Sequence, residues 1–143
     1  MKVDFWQLSR DPVEKVVALI AQRVLDSGER LLVVSDSHEQ REAISQGLWR
    51  AGPDSFLANG DASGPQPEAQ PILLSEVPEP ANKASHVIYA DGNYREADGF
   101  DRTFLLFDDG TVEQARATWR SLDGAEIERA FFRQDGGKWV KVA

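Results

Sequence analysis

The 143-residue sequence contains no cysteine, one methionine and only two histidines. Without cysteine, neither a disulfide framework nor a thiolate metal site can form, and this composition fits a reducing compartment. His38 and His86 lack the spacing of a metal-binding pair. The sequence therefore predicts that the protein holds no metal.

Long apolar runs are also lacking. None approaches the roughly 18 residues that a membrane-spanning helix needs. The first residues, MKVDFWQLSR, carry Asp4 early and no small-residue cleavage site, so they do not resemble a signal peptide. We therefore expect a cytoplasmic protein that makes no membrane contact.

Positive charge is in short supply, since the formal net charge is −8. Binding to DNA or RNA draws much of its affinity from cations that neutralise phosphates. An acidic chain does not exclude a local basic patch, but it disfavours direct binding of DNA or RNA, and we expect any role on DNA to be indirect.

Recognisable catalytic motifs are missing as well. The turn after the first predicted strand, Ser9–Pro12, lacks the glycines of a dinucleotide-binding loop, and no phosphate-binding GxxxxGK[ST] loop occurs. Ser35 has no flanking glycines and so does not form a nucleophile elbow. The pair Asp108-Asp109 precedes Gly110, which is typical of a turn. We expect no catalytic residue and no cofactor, which favours a binding or adaptor role.

The hydrophobic pattern of the first half predicts alternating strands and helices. Helix starts are expected at Asp11-Pro12, with Asp11 as the N-cap, and at Asp36 or Ser37. The predicted order is strand Lys2–Leu8, helix to about Ser27, strand Leu31–Ser35 and helix to about Ala51. This order is typical of a three-layer α/β/α, Rossmann-like fold with a mainly parallel central sheet, in one domain that spans residues 1–143.

The second half predicts more short strands and a C-terminal hairpin. A short extended segment is expected at Ser55–Ala58, and strands are expected at Ile72–Ser75, His86–Ala90 and Arg102–Phe107. Residues 127–133 and 138–142 flank Asp135-Gly136-Gly137, a strong signal for a β-hairpin turn. We expect Trp139 and Val140 to lie beside the helix that precedes the hairpin.

That helix, Thr111–Gly124, carries the clearest candidate site. Thr111 can cap it, with Gln114 completing a capping box, and Gly124 suits the left-handed position after its last turn. Its predicted buried stripe consists of Val112, Ala115, Trp119 and Leu122.

Arg116 and Arg120 are four residues apart, so they lie on one face of this helix, beside Trp119. Arginine binds carboxylates in bidentate fashion, and arginine and tryptophan are frequent at binding hot spots. This face is suited to an acidic peptide that contains an aromatic residue. The alternative is that the arginines are merely solvent-exposed and that Trp119 belongs to the core.

Several segments, taken in order, resemble one known family. They are Gly28–Val33 (GERLLV), Leu48–Arg50, Asp54–Leu57, Pro71–Leu74, Ala115-Arg116, Trp119-Arg120 and Gly124. In order and spacing they resemble the chi subunit of bacterial DNA polymerase III, an accessory protein of the clamp-loader complex. The sequence departs from the family at Ala58–Gly60, where Pro-His is frequent.

The resemblance implies a non-enzymatic adaptor that links the clamp loader to the single-stranded-DNA-binding protein. It implies that Arg116, Trp119 and Arg120 bind the acidic C-terminal tail of that protein. It also implies that Trp49 and Phe56 contact the psi subunit or another clamp-loader component.

Two other functions remain open at this point. One is a small-ligand or nucleotide-binding protein, or an enzyme, that uses the carboxyl ends of the strands, where α/β folds place ligands. The other is direct binding of single-stranded DNA, which the net charge disfavours.

Overall fold

A computed structural model describes residues 1–51, 57–135 and 138–143. The strands are β1 Lys2–Gln7, β2 Leu31–Val34, β3 Asn59–Asp61, β4 Ile72–Ser75, β5 His86–Tyr89, β6 Arg102–Phe107, β7 Glu128–Asp135 and β8 Lys138–Lys141. The helices are α1 Val13–Asp26, α2 His38–Trp49 and α3 Val112–Ser121, with a short 3₁₀ helix at Pro67–Ala69. In the part of the chain that the structure describes, no helix is long and apolar enough to cross a membrane.

The eight strands of the described residues form one sheet, in the order β3-β4-β2-β5-β6-β1-β7-β8. Every pairing is parallel except the last, where β8 runs antiparallel to β7. The mainly parallel sheet and the C-terminal strand pair are thereby confirmed. The two glycines of the predicted hairpin turn, Gly136 and Gly137, lie outside the described residues.

Helices cover both faces of the sheet, which confirms the three-layer architecture. Side chains alternate along β1, because successive residues of a strand point to opposite faces. Trp6 and Leu8 pack in the core beneath α1 and α2. Val3 and Phe5 pack in the other core, beneath α3.

The hairpin contributes to both cores. Trp139 packs on the α1 side, with its ring centroid 4.7 Å from that of Trp6. Val140 is the next residue along β8 and so points to the α3 side. The expectation that Trp139 lies beside α3 is therefore wrong, because the pleat places the two neighbours on opposite faces.

The predicted start of α2 is confirmed, whereas the predicted capping at α1 is wrong. The Ser37 hydroxyl accepts a hydrogen bond from the Gln40 N–H at 3.1 Å. At α1, Pro12 occupies the cap position, and no side chain caps the helix. The Asp11 carboxylate instead accepts a bond from the Gln134 amide of β7 at 2.8 Å. Asp11 therefore bonds a residue that is distant in sequence and does not cap α1.

At α3 the predicted start is confirmed, but the helix ends at Ser121, before the predicted end at Gly124, and the capping box does not form. Thr111 is the cap residue, yet its side chain bonds no helix N–H. Its hydroxyl accepts a hydrogen bond from the Asp108 N–H at 3.0 Å, within the preceding turn. Gly124 has a φ of +80°, as expected for a left-handed residue after a helix.

The extended segment expected at Ser55–Ala58 is described only in part. Ser55 and Phe56 lie outside the described residues, and Leu57 and Ala58 are not in a strand. The strand that forms is β3, with the polar sequence Asn-Gly-Asp, and it pairs with β4. Such a segment carries no hydrophobic alternation, so local sequence offers no sign of it.

Candidate functional site

Trp119 is fixed between α3 and the sheet. Its ring contacts Phe5 of β1 and Phe131 of β7, both edge to face, with centroids 5.1 and 6.0 Å away. Ala115, one turn earlier, is fully buried and holds α3 against the sheet. Trp119 itself is only partly buried, so one side of it remains at the surface. The ring is thus both a packing element and part of the surface.

Arg116 and Arg120 are exposed on the same side of α3, as the four-residue spacing predicts. Arg116 donates a hydrogen bond to Glu113 at 3.0 Å, but its side chain is still 60% exposed. Among the described residues the Arg120 side chain has no hydrogen-bond or ion-pair partner. Both guanidinium groups are therefore accessible to an anion, since an exposed ion pair costs little to exchange.

These three side chains line one pocket, which we call the α3 pocket. Its volume is about 280 Å³, and its lining residues are Arg116, Trp119, Arg120, Phe131, Val142 and Ala143. The other lining side chains are aromatic or aliphatic, and both arginines are exposed. Pockets for drug-sized ligands span about 300–1,000 Å³. The α3 pocket is thus suited to one or two apolar side chains with negative charge beside them.

One further residue supports the pocket, and sequence reasoning missed it. The guanidinium carbon of Arg129, on β7, lies 4.4 Å from the centroid of the Trp119 ring. Arg129 also donates a hydrogen bond to the Trp119 carbonyl and pairs with Asp123 at 3.3 Å. Its position in a strand could be read from sequence, but its contact with α3 depends on β7 lying next to β1.

The same pairing places Phe131 in the pocket. Phe131 lies opposite Phe5 in the parallel β1–β7 register. The rings of these two paired residues both contact Trp119. No local pattern reveals that strands from the two ends of the chain are neighbours.

Of the two residues expected to form the second binding surface, Trp49 and Phe56, the structure describes only Trp49. Trp49 is the last residue of α2, and it is 52% exposed. Phe56 lies outside the described residues, so its relation to Trp49 stays a prediction. Nearby, a groove of about 490 Å³ runs between α1 and α2, lined in part by Ala18, Leu19 and Arg50. The structure places Trp49 and the α3 pocket on opposite faces of the sheet.

A small-ligand-binding protein or enzyme of this fold would need a ligand site at the carboxyl ends of the strands. In this protein, charged side chains at that edge pair with one another. Arg41 bonds Asp61 at 3.0 Å, and Arg95 bonds both oxygens of Asp91 at 2.9 and 2.7 Å. Asp108 accepts bonds from the backbone of its own turn, as a turn residue does. Two cavities at this edge measure only about 80 and 100 Å³.

These pairs also change the acidity of the carboxyl groups. Burial alone would raise the pKa of Asp91, but hydrogen bonds from Arg95 and from two backbone N–H groups outweigh it and hold the pKa below its ordinary value. The pKa of Asp61 is likewise lowered, with bonds from Ser63 and Arg41 outweighing the effect of burial. Both groups are charged and engaged at neutral pH, so this edge is less suited to a ligand than the α3 pocket.

Comparison with known proteins adds the family. No curated protein matches the chain. A model of the family described as DNA polymerase III chi subunit, HolC, matches residues 1–129. The match includes α1 to α3 and ends within β7, just before Phe131. Since it covers most of the 143 residues, the chain belongs to the DNA polymerase III chi subunit family.

Proposed function

We propose that this chi-family protein, an accessory subunit of DNA polymerase III in replication, binds the acidic C-terminal tail of the single-stranded-DNA-binding protein in the α3 pocket. It would thereby link that protein to the clamp-loader complex, without a catalytic step of its own. The observation that carries the proposal is the composition of the pocket, in which aromatic and aliphatic side chains lie beside two exposed arginines.

Each part of the pocket matches one part of such a tail. The guanidinium groups of Arg116 and Arg120 can bind carboxylates through paired N–H donors. The Trp119 and Phe131 rings offer edges and faces to an aromatic side chain, which prefers offset or edge-to-face contacts. Because the whole chain carries a net charge of −8, attraction of an acidic peptide depends on these local cations.

A second contact is proposed at the other face. Trp49 and Phe56 would bind psi or another clamp-loader component, with exposed Trp49 as the anchor. Aromatic anchors of this kind are enriched at interface hot spots. Since α2 and α3 cover opposite faces of the sheet, the two partners can bind at the same time.

The test is calorimetric titration with a synthetic acidic tail peptide that ends in phenylalanine. We expect a dissociation constant in the micromolar range, about −8 kcal/mol, that weakens as salt is raised. The double variant Arg116→Ala, Arg120→Ala should lose about tenfold or more in affinity, because it removes two charge-assisted contacts.

The matched control removes the same charge from the opposite layer. Lys15→Ala with Arg23→Ala, both on α1, should bind the peptide like the wild-type protein. A peptide without its last phenylalanine should bind more weakly. Absence of heat with the full peptide, or equal losses in the two double variants, would contradict the proposal.

A further inference from the structure

Among the described residues no strand pairs with the outer side of β8, the last strand of the sheet. It pairs with β7 on one side and ends the strand order on the other. Val140 and Val142 at this edge are 44% and 51% exposed. Exposed edge strands can accept another strand, because their outward N–H and C=O groups have no ladder partner.

The outward-facing groups can be assigned from the register. The Val142 N–H donates to the Phe131 carbonyl at 2.7 Å, so Val142 directs its main chain toward β7. Alternate residues of an antiparallel ladder share this direction. Val140, paired with Arg133, therefore also faces β7. Trp139 and Lys141 direct their N–H and C=O groups away from the sheet.

On the face that carries the α3 pocket, this edge presents the cations Arg133 and Lys138 together with the carboxylate of Asp135. Phe131 and Arg133 share a face of β7, because they are two residues apart. The register pairs Asp135 with Lys138, which places Lys138 on that face too. Lys141 pairs with Phe132 and points to the opposite face. Arg133 and Lys138 thus add two positive charges along the edge beside the pocket, and Asp135 offsets one of them.

We propose that the acidic tail, bound as in the proposed function on which this inference rests, adds to the sheet as a ninth strand along β8. Its aromatic end occupies the α3 pocket beside Val142, and its acidic residues run back toward Lys138. The peptide then lies parallel to β8, and its main chain bonds the N–H and C=O groups of Trp139 and Lys141. This is strand addition, in which the main chain supplies affinity and side-chain pockets supply specificity.

The positive charge of β8 favours an acidic peptide over a second copy of the same strand as its pairing partner. Lys138 and Lys141 both lie on β8, so two copies of this edge would repel each other, as lysines on natural edge strands do. An acidic extended peptide meets the same lysines with opposite charge. The strand extends for four residues, about 13 Å at roughly 3.3 Å per residue, which accommodates the residues just before an aromatic terminus.

The decisive experiment uses peptides in which single amide bonds are replaced by esters, which removes one N–H donor and leaves the side chains intact. Titration of the full-length protein should show alternation along the peptide. Esters at every second position near the aromatic end should weaken binding about threefold to tenfold, as expected for one lost hydrogen bond. Esters at the intervening positions should leave the affinity unchanged.

A matched pair of protein variants tests on which face of β8 the acidic residues of the peptide lie. Lys138→Gln and Lys141→Gln remove the same charge from the same strand, but on opposite faces. Lys138→Gln should weaken peptide binding about twofold to threefold at low salt, in the range of an exposed ion pair. Lys141→Gln should have a smaller effect.

The outcomes distinguish strand addition along β8 from binding in the α3 pocket alone. If the unmodified peptide binds but all ester positions have the same effect, strand addition is wrong while pocket binding stands. If the two lysine variants weaken binding equally and the ester pattern does not alternate, the edge has no part in binding. If the unmodified peptide does not bind, both proposals are overturned.

Discussion

At the scale of single residues, Trp119 shows how one side chain can serve the core and a binding surface. Its ring packs on Phe5 and Phe131, and Arg129 stacks over it. Replacing Trp119 would therefore disturb both folding and binding, and the two effects could not be separated. Arg129 offers a cleaner test, because it supports the ring without lining the pocket.

We predict that Arg129→Ala lowers the free energy of unfolding by about 1–2 kcal/mol, because it removes a cation–π contact and a hydrogen bond to the Trp119 carbonyl. Urea denaturation followed by tryptophan fluorescence measures the change. Arg133→Ala is the control, since Arg133 lies on the same face of β7 and is exposed. Its effect should stay within about 0.5 kcal/mol. Equal losses in the two variants would contradict a specific role for Arg129.

At the scale of secondary-structure elements, the helix starts differ in what holds them. The hydroxyl of Ser37 bonds an N–H in the first turn of α2, as the sequence predicts. Asp11 and Thr111 occupy similar places but bond Gln134 and Asp108 instead. A capping signal is therefore reliable only where no neighbouring segment competes for the side chain.

We predict that Ser37→Ala destabilises the protein by about 1 kcal/mol, the usual cost of losing an N-cap. Thermal or urea denaturation measures it. Ser121→Ala, at the exposed end of α3, is a suitable control because its hydroxyl bonds only the Thr118 carbonyl within the helix. A loss at Ser121 as large as that at Ser37 would argue against the capping role.

At the scale of the whole molecule, a partly buried carboxylate joins the carboxyl ends of two neighbouring strands. Asp91 follows β5, and its carboxylate accepts a bond at 3.1 Å from the N–H of Asp36, which follows β2. Arg95 neutralises it with two further bonds. The negative charge of Asp91 thus stabilises the fold at this edge, away from the α3 pocket.

We predict that this arrangement makes the fold acid-sensitive. The pKa of Asp91 is lower in the folded protein than its ordinary value of 3.8, so the unfolded chain binds the proton more readily. The stabilisation is complete above the unfolded-state pKa and is lost as the pH falls through the folded-state pKa. Asp91→Asn should therefore be less stable than the wild-type protein at pH 7, and the difference should shrink below about pH 4.

Urea denaturation at a series of pH values from 7 to 3 measures this difference. Asp98→Asn, which changes an exposed carboxylate in the same loop, should follow the wild-type curve. A constant difference between Asp91→Asn and the wild-type protein at all pH values would contradict the prediction.

The sequence by itself determined the alternation of strands and helices, the resemblance to the chi family and the placing of Arg116, Trp119 and Arg120 on one face. These features depend on hydrophobic periodicity and four-residue spacing, which are local properties of the chain. Only the tertiary structure decided that β1 and β7 are neighbours, and with them Phe5, Phe131 and Arg129. It also decided that polar β3 forms an edge strand and that Asp11 bonds Gln134. The physical reason is that strand pairing joins backbone groups distant in sequence, and no local pattern encodes which strands will meet.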